Sequence, residues 1–291
     1  MATTGAIIDL LLARVSNLGT RRGSNIIAFS GGVDSSLSAA LVHKVFPQNS
    51  SACIGISAAL PQDQLILARE VASSIGIHLQ EVRTNEGYDA DYIANKGKAC
   101  YHCKTHLYSS LMAVAELAAA KGNIIGTDGK EKVILFNGTN KDDLRDDTRI
   151  GLKAAENFKV ASPLAEITKD EVRLAAKALG LPNWQHAASP CLRSRLAFGV
   201  AATKENLERI DKAEAIVRRH LGLGPEVNLR VRAANPTRAA VAVDQSLLEA
   251  VATHFPRIEE EILALGFKNV SFRAYRTGMM SGFAEQQQNT T

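Results

Sequence analysis

The residues with the clearest chemical meaning are the seven of Ser30-Gly31-Gly32-Val33-Asp34-Ser35-Ser36. Two adjacent glycines let a backbone approach an anion closely and adopt conformations that side chains forbid. An apolar run at residues 25–29 precedes them, and helical spacing resumes over residues 35–44. In that strand–loop–helix setting, loop N–H groups and the helix N-terminus face a phosphate. Ser30, Ser35 and Ser36 add hydroxyl donors, and Asp34 suits the Mg²⁺ that accompanies a nucleotide. The lysine of a GxxxxGK[ST] loop is missing here, so the phosphate chemistry is of another kind. A glycine-rich turn that binds nothing is the bland alternative, and the strand–loop–helix setting weighs against it.

A second polar run, Asn137-Gly138-Thr139-Asn140-Lys141-Asp142-Asp143, follows another apolar stretch. It falls at the carboxyl edge where open α/β sheets take ligands. Gly138, Asn140 and Asp142 join the nucleotide-binding set, and Asp142 with Asp143 offers paired carboxylates for Mg²⁺ or a water. A polar loop ending in a helix cap is the competing reading.

Cys100-Tyr101-His102-Cys103 places two thiols at metal-ligand spacing, and Cys191 follows 88 positions after Cys103. Three thiols in an α/β enzyme are ligands or nucleophiles more naturally than a structural disulfide. Three thiolates can hold a [4Fe–4S] cluster and leave one iron open for a further sulfide. Zinc is the alternative and wants a fourth ligand, His102 or His106; three unrelated thiols with no cofactor is the remaining one. Cys53 lies in an apolar run and reads as a small core residue.

The elements that position these groups follow from periodicity. Residues 25–29, 51–57, 78–82 and 133–137 read as short strands, with helices over 35–44, 63–75, about 105–120 and 168–179. Residues near 7–14 suit an amphipathic first helix. The alternation predicts an α/β fold, an open parallel sheet with flanking helices, over residues 1–199. After Gly199 the pattern changes to a charged helix at 203–220, strands at 227–232 and 239–243, helical residues 246–265 interrupted at Pro256, and a strand at 270–275. That predicts a small C-terminal α+β domain over residues 200–291. The Gln- and Thr-rich tail after Phe283 is expected to fray.

Composition narrows the classes. A chain of 291 residues with 46% hydrophobic and 22% charged residues folds as a globular protein and is not disordered. No apolar run reaches the roughly 18 residues a membrane span needs. A net charge of +4 and 5% aromatic residues give neither a dense basic patch nor a stacking platform, so nucleic acid is not the expected partner. Few cysteines and the lack of a signal peptide make the cytoplasm the expected compartment.

The run SGGVDSS resembles the pyrophosphatase loop of the N-type ATP pyrophosphatases. That group includes GMP, NAD and asparagine synthetases and tRNA thiolation enzymes, on an adenine nucleotide alpha hydrolase-like fold. Further matches follow in order: Arg149-Ile150-Gly151, Ala155-Glu156, Ser162-Pro163-Leu164, Lys169-Asp170-Glu171-Val172-Arg173 and Ala188-Ser189-Pro190-Cys191-Leu192-Arg193-Ser194-Arg195. Together they resemble the LarE family of pyridinium-3,5-biscarboxylate mononucleotide sulfurtransferases, over about residues 25–195. The likeness resumes faintly at Tyr275-Arg276-Thr277-Gly278-Met279-Met280.

The resemblance implies that ATP adenylates a carboxylate of the pyridinium nucleotide and that sulfur replaces AMP, in nickel-pincer nucleotide synthesis. It implies a catalytic role for Cys191 and Asp143, and a substrate-side role for Arg149, Glu156, Ser194 and Arg195. One family variant sacrifices a cysteine at the Cys191 position; the other holds a [4Fe–4S] cluster on three cysteines. With Cys100, Cys103 and Cys191 present, the chain is similar to the cluster variant, taking sulfide or another sulfur donor. A homo-oligomer is also implied. The sequence departs from the family at residues 239–243 (AAVAV), at Ser271 and at Met280-Ser281-Gly282. A tRNA thiolation enzyme is the alternative function, and an ammonia-using synthetase would leave the three cysteines unexplained.

Overall fold

The computed structural model describes residues 4–120, 133–146 and 148–276. In chain order the first half holds α1 (Thr4–Leu18), β1 (Ser24–Ala28), α2 (Val33–Val45), β2 (Ser50–Ile56), α3 (Gln62–Ile75), β3 (Leu79–Arg83), α4 (Ala90–Ala94) and α5 (Ala99–Ala120). There follow β4 (Val133–Phe136), α6 (Lys141–Leu144), α7 (Gly151–Asn157) and α8 (Lys169–Ala178). The last elements are α9 (Lys204–Leu221), β5 (Leu229–Asn235), β6 (Arg238–Val243), α10 (Leu248–Ala264) and β7 (Asn269–Ala274).

Two compact units form: residues 1–57, 63–86 and 100–185, and residues 58–62, 87–99 and 186–291. The second therefore takes in short segments from the first half of the chain, which a single cut near residue 200 does not express. One reason is a contact across more than a hundred residues: Asn95 Nδ2 donates to Ala197 O at 2.9 Å and Val200 O at 3.1 Å.

The first unit is built on a parallel sheet of order β3-β2-β1-β4. Its central strand β1 is almost wholly buried, as a strand covered on both faces should be. Ile26, Ala28, Cys53 and Leu135 point to one face, where Tyr108, Leu111 and Ala115 of α5 and Ala154 and Ala155 of α7 cover them. Cys53 is fully buried there, and burial pushes its thiol pKa up to about 12, so it stays a neutral core group. On α8, Thr168 and Glu171 form a capping box, and Gly180 follows with φ +72 to end the helix.

The second unit carries a mixed sheet of order β5-β6-β7. β5 and β6 form an antiparallel hairpin whose turn is braced by Asn235 Oδ1, which accepts from the Thr237 N–H at 2.9 Å. β6 and β7 are parallel, so α10 is the crossover between them. Pro256 does not interrupt that helix, contrary to the sequence expectation. Val251, Ile258 and Ile262, buried on either side of it, hold both halves in line, and their burial outweighs one lost hydrogen bond. The other shift is α5, which starts at Ala99 and not near 105. Nothing breaks a helix between Gly97, which takes φ +87, and Thr105. The tail after Phe283 lies outside the described residues, as does most of the run from Tyr275 to Met280. No helix among the described residues is long and apolar enough to cross a membrane.

Candidate functional site

β1 and β4 run side by side in parallel, with Ile27 opposite Phe136. The segments leaving their carboxyl ends therefore meet at one edge of the sheet. From β1 the chain travels one way to β2 and β3, then crosses back to β4. Such a reversal opens the crevice where α/β sheets take ligands.

Glycines allow the two segments to close on each other. At Gly31 φ is +71, and a Cβ would stand 2.8 Å from Ala68 Cα and 2.9 Å from Gln64 Nε2. At Gly138 a Cβ would stand 2.6 Å from both the Asp34 carbonyl carbon and Ser35 N. The loop after β4 thus lies directly against the first turn of α2. Gly32 caps that helix without any side-chain acceptor, so its leading N–H groups are left for an anion. The loop is folded on itself: Ser30 N–H donates to Ser35 Oγ at 3.2 Å, and Ser35 Oγ donates to Gly32 O at 3.0 Å. Ser36 is fully buried and accepts from Asn183 Nδ2 at 2.9 Å.

Charge gathers around Asp34. Asn140 Nδ2 donates to Asp34 Oδ1 at 3.0 Å, and Lys169 Nζ pairs with Asp34 Oδ2. Asn140 also caps α6, where Oδ1 accepts from the Asp142 and Asp143 N–H groups at 2.9 and 3.1 Å. Asp143 returns the bond by accepting from Asn140 N–H at 3.3 Å. Asp142 Oδ2 accepts from Lys169 N–H at 2.8 Å, tying α6 to the start of α8. The helix-cap reading of this run therefore holds, while its carboxylates stay beside the loop. Burial pushes the Asp143 pKa up, and Arg149, paired with it at 2.9 Å, pulls it partly back.

Cys100 and Cys103 lie one turn apart at the start of α5 and not in a loop. Both are partly exposed, in contrast to the buried Cys53. The start of α7 packs here, since a Cβ on Gly151 would stand 3.5 Å from Cys100 O. Glu156 sits on the exposed side of α7.

In the second unit Cys191 opens a 3₁₀ turn, Leu192–Arg195. Ser194 Oγ donates to Cys191 O at 2.7 Å. Arg195, 1% exposed, donates to the carbonyls of Pro190 and Cys191. Its Nε meets Glu214 Oε1 at 2.9 Å and its Nη2 meets Glu214 Oε2 at 3.2 Å. Glu214 also accepts from the Val231 N–H at 2.9 Å. Arg195 therefore braces the Cys191 turn from behind. Beside it, Arg195, Arg232, Arg238, Arg273, Asn269 and Ser271 line a cavity of about 330 Å³. Among the described residues its lining holds no carboxylate. Burial first, then the neighbouring Arg195 charge, pushes Arg230 down to about 10 and lowers Arg232 as well.

Sequence reasoning assigned no role to Lys169, Gln64, Asn183, Glu214 or the arginines of β5 to β7. Lys169 lies inside a matched run, so that signal was available. The others carry no local pattern.

The residues 4–134 match the family model described as NAD synthase. A protein of Synechocystis sp., described as uncharacterized, is 41% identical over 196 residues, covering 67% of this chain and 68% of its own. The pyridinium-3,5-bisthiocarboxylic acid mononucleotide synthase of Lactiplantibacillus plantarum is 29% identical over 270 residues, 91% of either chain. A glutamine-hydrolyzing GMP synthase of Streptomyces avermitilis is 30% identical over 249 residues, which is 77% of this chain and 46% of that enzyme.

Proposed function

The chain belongs to the LarE-like family of N-type ATP pyrophosphatases, and from that premise we propose that it inserts sulfur, at the expense of ATP, into a carboxylate of a pyridinium mononucleotide. The observation that carries this reading is the phosphate loop: an uncapped helix N-terminus, approached by Gly138, with Asp34 and Lys169 beside it.

In this reading a substrate carboxylate oxygen attacks the α-phosphorus of ATP. The bond to the β-phosphate oxygen breaks, and pyrophosphate stays against the loop N–H groups. A sulfur nucleophile then attacks the acyl carbon, AMP leaves, and a thiocarboxylate remains. Ser30, Gly31, Gly32, Ser35 and Ser36 form the phosphate cradle, with Gly138, Asn140 and Asp142 as its second wall. Asp34 fits the Mg²⁺ of the nucleotide: its carboxylate is part-exposed, an amide holds one oxygen, and Lys169 occupies the other as a replaceable cation. With Mg²⁺ on Asp34, Lys169 would be available to neutralise the pyrophosphate. Asp143, its pKa raised by burial, and Arg149 and Glu156 serve the acceptor side.

The cysteine pattern of the sequence supports Cys100, Cys103 and Cys191, each partly exposed, as the ligands of a [4Fe–4S] cluster. Such a cluster would supply activated sulfide. The arginine cavity, with Ser194 and Arg195 at its border, suits the substrate phosphate. Residues 1–199 then handle ATP, and residues 200–291 serve the substrate and subunit contacts of a cytoplasmic homo-oligomer. Thiolation of tRNA is not favoured, because a relative that covers 91% of the chain is named for a mononucleotide product.

The test combines the protein with ATP, Mg²⁺, sulfide and the biscarboxylate mononucleotide. AMP, pyrophosphate and a sulfur-containing product by mass spectrometry are expected, with pyrophosphate release lost in Asp34→Asn. Stoichiometric ADP overturns the reading. About four irons per chain are expected after anaerobic purification, and fewer in Cys100→Ala, Cys103→Ala or Cys191→Ala; unchanged iron in all three removes the cluster.

A further inference from the structure

Two buried carboxamides hold the phosphate loop from opposite ends of the first unit's sequence. Gln64 Nε2, on α3, donates to Ser30 O at 2.6 Å. Asn183 Nδ2, beyond α8, donates to Gly31 O at 2.7 Å and to Ser36 Oγ at 2.9 Å. Gln64 is 6% exposed and Asn183 is completely buried. The reverse rotamer of Asn183 would set its oxygen against Gly31 O, so the contacts fix which way the amide points. Its own Oδ1 is buried with no partner, a cost the chain bears to keep that donor in place.

A trans peptide carries its C=O and N–H on opposite sides. Tying Ser30 O to Gln64 turns the Gly31 N–H the other way, and tying Gly31 O to Asn183 does the same for the Gly32 N–H. These two donors lie just ahead of Val33, where α2 begins, and the Gly32 N–H makes only a long contact, 3.4 Å, to Ser30 Oγ. We propose that Gln64 and Asn183 are positioning residues that aim the Gly31 and Gly32 N–H groups at the pyrophosphate moiety of ATP. The inference rests on the phosphate-loop reading above and adds what orients the loop. Without the two amides, Ser30 O and Gly31 O are free to rotate toward the ligand, where an acceptor repels an anion. The positive φ of Gly31 allows such a rotation, because no Cβ resists it.

The experiment titrates Mg-pyrophosphate into the full-length protein and into Gln64→Met and Asn183→Leu, near-isosteres that lack the donor. Each variant is expected to keep its circular dichroism and to bind about tenfold more weakly, the value of one hydrogen bond to a charged ligand. In ¹⁵N-labelled wild type, pyrophosphate is expected to shift the Gly31 and Gly32 amide resonances, and in the variants to shift them less. Wild type that fails to bind pyrophosphate overturns the phosphate-loop reading and this inference with it. Binding retained within about twofold in both folded variants overturns the positioning role alone. Should a variant lose its native spectrum, the wild-type resonances decide: binding that leaves Gly31 and Gly32 unmoved also overturns it.

Discussion

In the first unit Asp34 is met by Lys169 and Asn140, and Asp143 is met by Arg149. In the second, Arg195, Arg232, Arg238 and Arg273 surround one cavity, and Glu214 offsets Arg195 from behind. In the proposed function the first arrangement serves a ligand that arrives with its own cation, which would take the place of Lys169 on Asp34. In the same proposal the second serves a bare anion. Its guanidiniums are partly desolvated and crowd each other, which pulls the Arg232 and Arg273 pKa values down. An anion entering the cavity would offset both penalties. Backbone geometry dominates one site and side-chain charge the other.

The comparison breaks most severely at Glu214. Glu214→Gln leaves the Arg195 charge buried and unbalanced, and a loss of about 3–5 kcal/mol in unfolding free energy is expected. Denaturant titration measures it. A loss under about 1 kcal/mol would mean that Arg195 is solvated and that the second region is not charge-strained.

Next in size is Gly138→Ala, which drives a methyl group into the backbone of Asp34 and Ser35. Pyrophosphate release is expected to fall about a hundredfold, the scale of a misplacement near 1 Å. Anion affinity in the arginine cavity, read with sulfate, should be unchanged. Equal losses in both readouts would erase the contrast between a backbone site and a charge site.

The smallest effect concerns pH. Burial raises the Asp143 pKa, so the folded chain holds this proton to a higher pH than the unfolded chain does. A raised folded pKa means stability that is present below the ordinary carboxylate value of about 3.9 and lost as pH rises through the folded value. Asp143→Asn should remove that portion of the acid-side slope. An identical slope in wild type and variant would mean that Arg149 cancels burial.

What can be read from sequence here is what is local. Ser30 to Ser36 announces itself through adjacent glycines at a strand–helix junction, and the caps at Asn140 and Thr168 lie within three residues of the groups they serve. The parallel sheet follows from alternating strands and helices for the same reason. Gln64 and Asn183 are invisible in that way, because their loop partners lie 34 and 152 residues off. The Lys169–Asp34 tie spans 135 residues, although Lys169 itself stands in a recognisable run. The Pro256 expectation failed for a related reason, since a local rule about proline yields to buried contacts on both sides of it.

The segments 58–62 and 87–99 belong to the second unit while the chain on either side of them belongs to the first. Neither unit can be cut from the gene as one continuous cassette. A fragment ending at residue 185 would carry Asn95 but not Ala197 or Val200, the acceptors of its amide. Swapping a terminal domain at such a boundary would break these bonds.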